Sequence, residues 1–295
     1  MASLPNPLPR LAADPSGRAL GLELPPGRLI DATIDGPWRE PLLWHAGRAA
    51  SSGNWARLGA RAARAGLLPV LVEVGGKVAG PDKWELAPRE MSYPGDHDAG
   101  EVLNGFWDDY VAEAGGVDGG RPGREKEKAV EVFGGPASLQ ETLAPFGPDW
   151  PGLAPGRALA ADPDVRAAEV ADRLLGDGSW FEDPRLALVP ARRSADIPAV
   201  IGWPGPLNYE NDTGVLCSVL RSWEDRFGIR VVALTFDQLV LSVAAPPTTR
   251  AEAEVLAAEH FACCPDNIVQ GHHETLRAYA EHAVLDQRVW SFWWD

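Results

Sequence analysis

The feature that most limits the folds open to this chain is a pair of apolar, β-branched runs. Ile229–Phe236 (IRVVALTF) and Leu239–Ala245 (LVLSVAA) are separated only by Asp237-Gln238. Two such runs joined by two turn-type residues predict a β-hairpin, and Pro246-Pro247 breaks the sheet after it. Upstream, Asp212 or Thr213 caps a helix over Gly214–Phe227. In it Val215, Val219, Trp223 and Phe227 recur at four-residue steps, and Gly228 stops it. Downstream, Thr249 and Glu252 have the capping-box spacing at the head of a helix over Arg250–Phe261. Pro265-Asp266-Asn267 interrupts it, and a further helix covers Glu274–Asp286. The closing Arg288–Asp295 (RVWSFWWD) predicts a strand whose two faces are both apolar, as in a strand covered on both sides. With strands at Leu186–Pro190 and Ala199–Trp203, the C-terminal part reads β-β-α-β-β-α-α-β. That is an α+β fold, or a mixed α/β one, with helices packed on a sheet.

The preceding residues are organised more loosely. Residues 1–37, rich in Pro and Gly, read as an extended lead-in, with Ala19–Leu24 and Arg28–Ile34 as candidate edge strands. Pro41–His45 and Leu67–Val74 predict strands around a helix over Trp55–Ala65, a small βαβ unit if the two strands run parallel. Asp98–Ala114 is amphipathic, with Val102, Leu103, Phe106, Trp107 and Tyr110 on one face. Gly115–Lys128 reads as a mobile loop. Pro145–Gly156 carries Phe146, Trp150 and Leu153, and predicts a segment packed across a surface. Asp162 caps a helix over Pro163–Leu175. The division expected is a lead-in over 1–37, an N-terminal α/β part over 38–150 and a C-terminal α+β domain over 158–295.

Composition excludes several functions. A formal net charge of −15 repels phosphate backbones and speaks against nucleic-acid binding. No apolar run approaches the ~20 residues of a membrane-spanning helix, and the N-terminus lacks the basic start and apolar core of a secretory signal. Three cysteines, two of them adjacent, build no disulfide framework and fit a reducing cytosol. Gly75-Gly76-Lys77 is followed by Val78 and has Leu71 where a phosphate loop needs its first glycine, so it reads as a turn. No G-x-S-x-G or H-E-x-x-H occurs, and no cofactor is expected.

The phrases VIGWPGPLNYEND, VLRSWEDRFGIRVVALTFDQLVLSVAAPP, AEHFACCPDN and WSFWWD, spread over Ala199 to Asp295, resemble a bacterial, mostly actinobacterial, family known as domain of unknown function 4253. The resemblance implies a compact intracellular α+β domain and no catalytic residues.

Two places remain as candidate sites. One is the loop from Trp203 to Asp212, with Trp203, Asn208 and Asp212. Trp203 reads as its best surface residue, because Pro204-Gly205-Pro206 follows at once. The other is the break after the Arg250–Phe261 helix, with Cys264, Asp266, Asn267 and His272. There His260, Cys263, Cys264 and His272 are weighed as zinc ligands against partly buried thiols and surface histidines, and the second reading wins. Glu224, Asp225 and Arg226 read as a solvated face with local ion pairs. The function expected is a non-enzymatic interaction factor, immunity-like or accessory, whose acidic surface meets a basic protein partner. The alternative is a small-molecule enzyme using Trp203–Asp212 and Cys264–His273, settled by whether Asp212, Asp266 and His272 converge on a deep pocket.

Overall fold

The computed structural model describes residues 6–114, 136–176 and 178–294. The loop expected over Gly115–Lys128 and the terminal Asp295 lie outside them. Among the described residues, seven strands form one sheet: β1 (Gly27–Ile30), β2 (Leu43–Ala46), β3 (Leu68–Glu73), β4 (Pro184–Val189), β5 (Arg230–Leu234), β6 (Gln238–Ser242) and β7 (Val289–Trp293). Their spatial order is β1-β2-β4-β3-β5-β6-β7. Neighbours are antiparallel except for β3 and β5, which are parallel. Segments 38–150 and 158–295 therefore share a sheet, with β4 lying between β2 and β3. Both of those strands are antiparallel to β4, so they run parallel to each other, as the strand-helix-strand reading requires.

Besides two four-residue turns of helix at Arg10–Ala13 and Asp266–Val269, the helices that accompany the sheet among the described residues are α1 (Asn54–Arg64), α2 (Ala99–Ala114), α3 (Pro136–Thr142), α4 (Pro163–Leu174), α5 (Ile197–Ile201), α6 (Thr213–Phe227), α7 (Arg250–Cys263) and α8 (Leu276–Tyr279). The last runs on into a π turn, Ala280–Val284. Both sheet faces are covered. Leu71, Leu186, Leu188 and Val240 pack with Trp55 and Leu58 of α1 and Val170 of α4. On the other face Val70, Val72, Val189 and Leu241 pack with side chains of α2, α6 and α7. The period of two along each strand sends alternate side chains to the two layers. At Val232 the register slips, because Val231 pairs with Leu241 and Ala233 with Val240. This bulge turns Val232 and Ala233 to the same side. The fold is α+β with a mixed sheet.

Three local expectations shift. Ala199–Trp203 is not a strand: the chain makes α5 there and stops at Gly202, whose φ of 67° is left-handed. Pro198 starts that helix well, but α5 is nearly all buried, and in so short an apolar run periodicity cannot separate helix from strand. The hairpin turn is Phe236-Asp237, one residue earlier than expected, since Thr235 N–H donates to Gln238 O (3.0 Å). The Thr235 hydroxyl organises it, accepting from the Gln238 N–H (3.0 Å) and donating to Asp237 Oδ1 (3.0 Å). Finally, Ala19–Leu24 forms no strand; it begins within a 3₁₀ turn over Arg18–Leu20.

One buried ion pair joins three parts of the chain. Glu259 of α7 is wholly buried. Its Oε1 accepts from Arg226 Nη1 of α6 (2.8 Å) and from the Ala154 N–H (2.7 Å). Its Oε2 accepts from Arg226 Nη2 (2.6 Å) and Trp223 Nε1 (2.8 Å). Arg226 also donates to Ala154 O (2.8 Å), which anchors the 145–157 segment; within that segment Trp150 packs at 5.5 Å on Trp107. A buried charge left without its partner is costly. Glu259→Ala should therefore lower the urea unfolding free energy by about 3–5 kcal/mol. Arg250→Ala, which removes the more exposed Arg250–Glu254 pair, should cost less than about 1 kcal/mol.

Candidate functional site

The loop from Trp203 to Asp212 is a packed element rather than an open one. Trp203, expected at the surface, is 1% exposed. Its Nε1 donates to Thr235 O (2.8 Å) and its ring meets Trp294 edge-on at 5.8 Å. The Pro-Gly-Pro that suggested exposure covers it: a Cβ on Gly205 would lie 2.0 Å from the indole. Asn208 is exposed. Asp212 caps α6, with Oδ1 accepting from the Gly214 N–H (2.9 Å) and the Ser92 N–H (2.9 Å). It thus ties the helix to a segment 120 residues earlier.

The Cys264–His273 break closes the edge of the sheet. Strand β7 is the last in the order, so its outer N–H and C=O groups have no strand beside them. Asn267 takes that place, donating to Ser291 O (2.7 Å) and accepting from the Trp293 N–H (3.1 Å). The Cys264 thiol donates to Trp293 O (3.0 Å). Asp266 accepts from Gln270 Nε2 (2.9 Å) on the short helical turn that follows. His272 is exposed. Asp212, Asp266 and His272 thus serve separate places, at the head of α6, on the turn after α7 and at the surface.

The reactive side chains nearby are sealed in. Cys217, Cys263 and Cys264 are free and buried, and burial pushes each thiol far up, away from the reactive thiolate. His260 stands in an aromatic cage, its ring 4.6 Å from Trp290, 4.9 Å from Trp223 and 4.9 Å from Phe292. Nδ1 is 3.2 Å from the Tyr279 hydroxyl, and Nε2 has no partner among the described residues. Desolvation, with a contribution from Arg226, pulls its pKa down to about 3, so it is neutral. The suggested zinc set of His260, Cys263, Cys264 and His272 is not gathered. Among the described residues no group of three or more His, Cys, Asp or Glu side chains is placed to hold a metal.

A large concavity lies elsewhere, at one end of the sheet between α1 and α4. It is a cleft of about 670 Å³. Ala56, Gly59, Ala60 and Ala63 of α1 form one wall, and Val165 and Ala168 of α4 face them. Its polar end is an ion lattice. Arg193 Nε donates to Glu224 Oε2 (2.8 Å) and Nη2 to Asp225 Oδ1 (2.5 Å). Arg230 Nε donates to Asp164 Oδ1 (2.7 Å) and Nη1 to Glu224 Oε1 (3.2 Å). So Glu224 and Asp225 pair with these arginines, while Arg226 turns inward to Glu259. Sequence reading passed over this cleft, although small residues at positions 56, 59, 60 and 63 on an amphipathic helix were its visible trace. It also passed over Ser92, whose Oγ lies 2.6 Å from His97 Nε2 beside the Asp212 cap.

These observations define a class: an α+β protein with a doubly covered mixed sheet, sealed thiols and an ion-rimmed cleft. Within it, residues 185–295, from β4 through β7, match the family model described as Domain of unknown function (DUF4253). Neither the curated proteins nor the solved structures compared with the chain gave a match. No helix among the described residues is long and apolar enough to cross a membrane.

The state of His260 sets a pH dependence. Its folded pKa lies below the ordinary histidine value of 6.5, so the unfolded chain binds the extra proton first. The stability held in the neutral ring is complete above pH 6.5 and is lost as pH falls toward 3. Urea unfolding between pH 6.5 and 4 should show wild type losing stability faster than His260→Phe, by up to about 1.4 kcal/mol per pH unit. Equal slopes would show that the native ring takes up its proton at the same pH as the unfolded chain.

Proposed function

We propose that the protein is a non-enzymatic interaction factor of the cytosol, an accessory or immunity-like protein whose acidic surface meets a basic protein partner. The observation that carries this reading is how the charge is distributed. The formal net charge is −15, and arginines 157, 193, 221, 226 and 230 are held in internal pairs with carboxylates. Excess carboxylates remain for the surface, where they favour a cationic partner and steer its approach. The thiols and His260, the groups best suited to catalysis, are meanwhile shut in the core. The test is capture from native lysate on the immobilised full chain, followed by reconstitution with the purified partner. A basic protein should bind, and its Kd should rise by about tenfold or more when salt is raised from roughly 0.05 to 0.5 M. A partner whose affinity ignores salt, or no reconstituted complex, overturns the reading.

A second reading, a small-molecule enzyme, is favoured by one observation. Ser92 Oγ and His97 Nε2 are within hydrogen-bonding distance, and both side chains are half-buried rather than sealed. Such a pair lets the imidazole take the hydroxyl proton as Oγ attacks an electrophile. A fluorophosphonate probe should then phosphonylate Ser92 with release of fluoride, and His97→Gln should abolish labelling. An unlabelled Ser92 in the wild type sinks this reading.

A further inference from the structure

The cleft between α1 and α4 has no part in the interaction reading, and its chemistry points to a different occupant. We propose that it binds a small uncharged molecule with an apolar body and a carbonyl-type acceptor as its head group. At about 670 Å³ it falls within the range of small-molecule sites, roughly 300–1,000 Å³. Its apolar wall is preformed: Trp55, Leu58 and Ala62 are buried along the adjoining face of α1 and hold the helix in place, and Trp55 also reaches the cleft. Ala56, Ala60 and Ala63 are exposed on the cleft side, where side chains ending at Cβ leave the space open. Across from them Val165 is 57% exposed, a branched apolar group with little cover.

The head-group preference comes from Arg230. Its Nε donates to Asp164, and Nη1 donates to Glu224 and to Ile229 O. Three of its five N–H groups are thereby committed, and both on Nη2 have no partner among the described residues. Donors therefore face the cleft, but their charge is already offset by Glu224 and Asp164. An acceptor without charge suits that arrangement. An anion would compete with the carboxylates already in place, and a cation would meet donors. A carbonyl or amide oxygen has the matching polarity.

Three probes with one apolar body separate these cases: 2-(naphthalen-1-yl)acetamide, naphthalene-1-acetate and 2-(naphthalen-1-yl)ethylammonium. Each is titrated into the full chain by calorimetry and ligand-observed NMR. The amide should bind at least about tenfold more tightly than either charged analogue, a gap of about 1.4 kcal/mol. Ala60→Phe fills the cleft from an exposed helix position and should abolish binding, with Ala63→Leu as a second filler if the first melts early. Arg230→Gln should weaken the amide at least fivefold. Equal binding of the three probes, no binding of the amide, or an amide affinity unchanged in a folded filler variant would overturn the proposal. None of these results bears on the salt-dependent partner, so the two ideas fail separately.

Discussion

Much of this structure depends on a carboxylate that water cannot reach. Glu259 sits at the centre of one layer, where an isolated charge would be strongly disfavoured. Arg226 and the Trp223 and Ala154 N–H groups supply four donors to its two oxygens, so its acceptor capacity is filled. Apolar packing would not specify how α6, α7 and the 145–157 segment meet, because it has no preferred direction. The two-pronged guanidinium does specify it, because its N–H groups fit the carboxylate in few orientations. His260, one residue along α7, takes its neutral state from the same dry surroundings and the nearby arginine charge.

The other constraint is the end of the sheet. A seven-stranded order leaves β1 and β7 as edges; β7 is not covered on both faces as its sequence suggested, since Trp290 and Phe292 are buried on one face while Ser291 on the other is exposed. An uncovered edge strand with an apolar face would invite pairing with another chain. Asn267 and Cys264 satisfy its backbone groups from the side instead. The break after α7, rich in reactive residue types, thus has a structural use. The same protective logic explains Trp203, which lies beneath its own Pro-Gly-Pro and holds the hairpin turn through Thr235 O.

Helix ends and strands built from long patterned runs were legible in the chain. Asp162, Asp212 and Thr249 cap helices as their spacing implied, because a cap is a local bond between neighbours. The hairpin was legible to within one residue, and the Thr235 hydroxyl decided the difference. Ala199–Trp203 misled because an apolar run that short has the same composition as helix or strand when every side is buried. The candidate residues were less legible. Trp203, Cys264 and Asn267 looked available because their chemistry is versatile, but availability depends on what covers a side chain. That covering comes from residues tens of positions away.

By itself, then, the sequence determined the α+β class, most helices and strands, the acidic balance and the lack of a long apolar helix among the described residues. All of these follow from periodicity, caps and composition, which act over a few neighbours or over the whole sum. Tertiary structure alone decided that β4 enters between β2 and β3, and that Arg226 pairs with Glu259 rather than with its neighbours. It also decided that the cysteines are shut away and that the open cleft lies between α1 and α4. Each of these brings together residues far apart in the chain, and burial is a property of the assembled layers rather than of any local run.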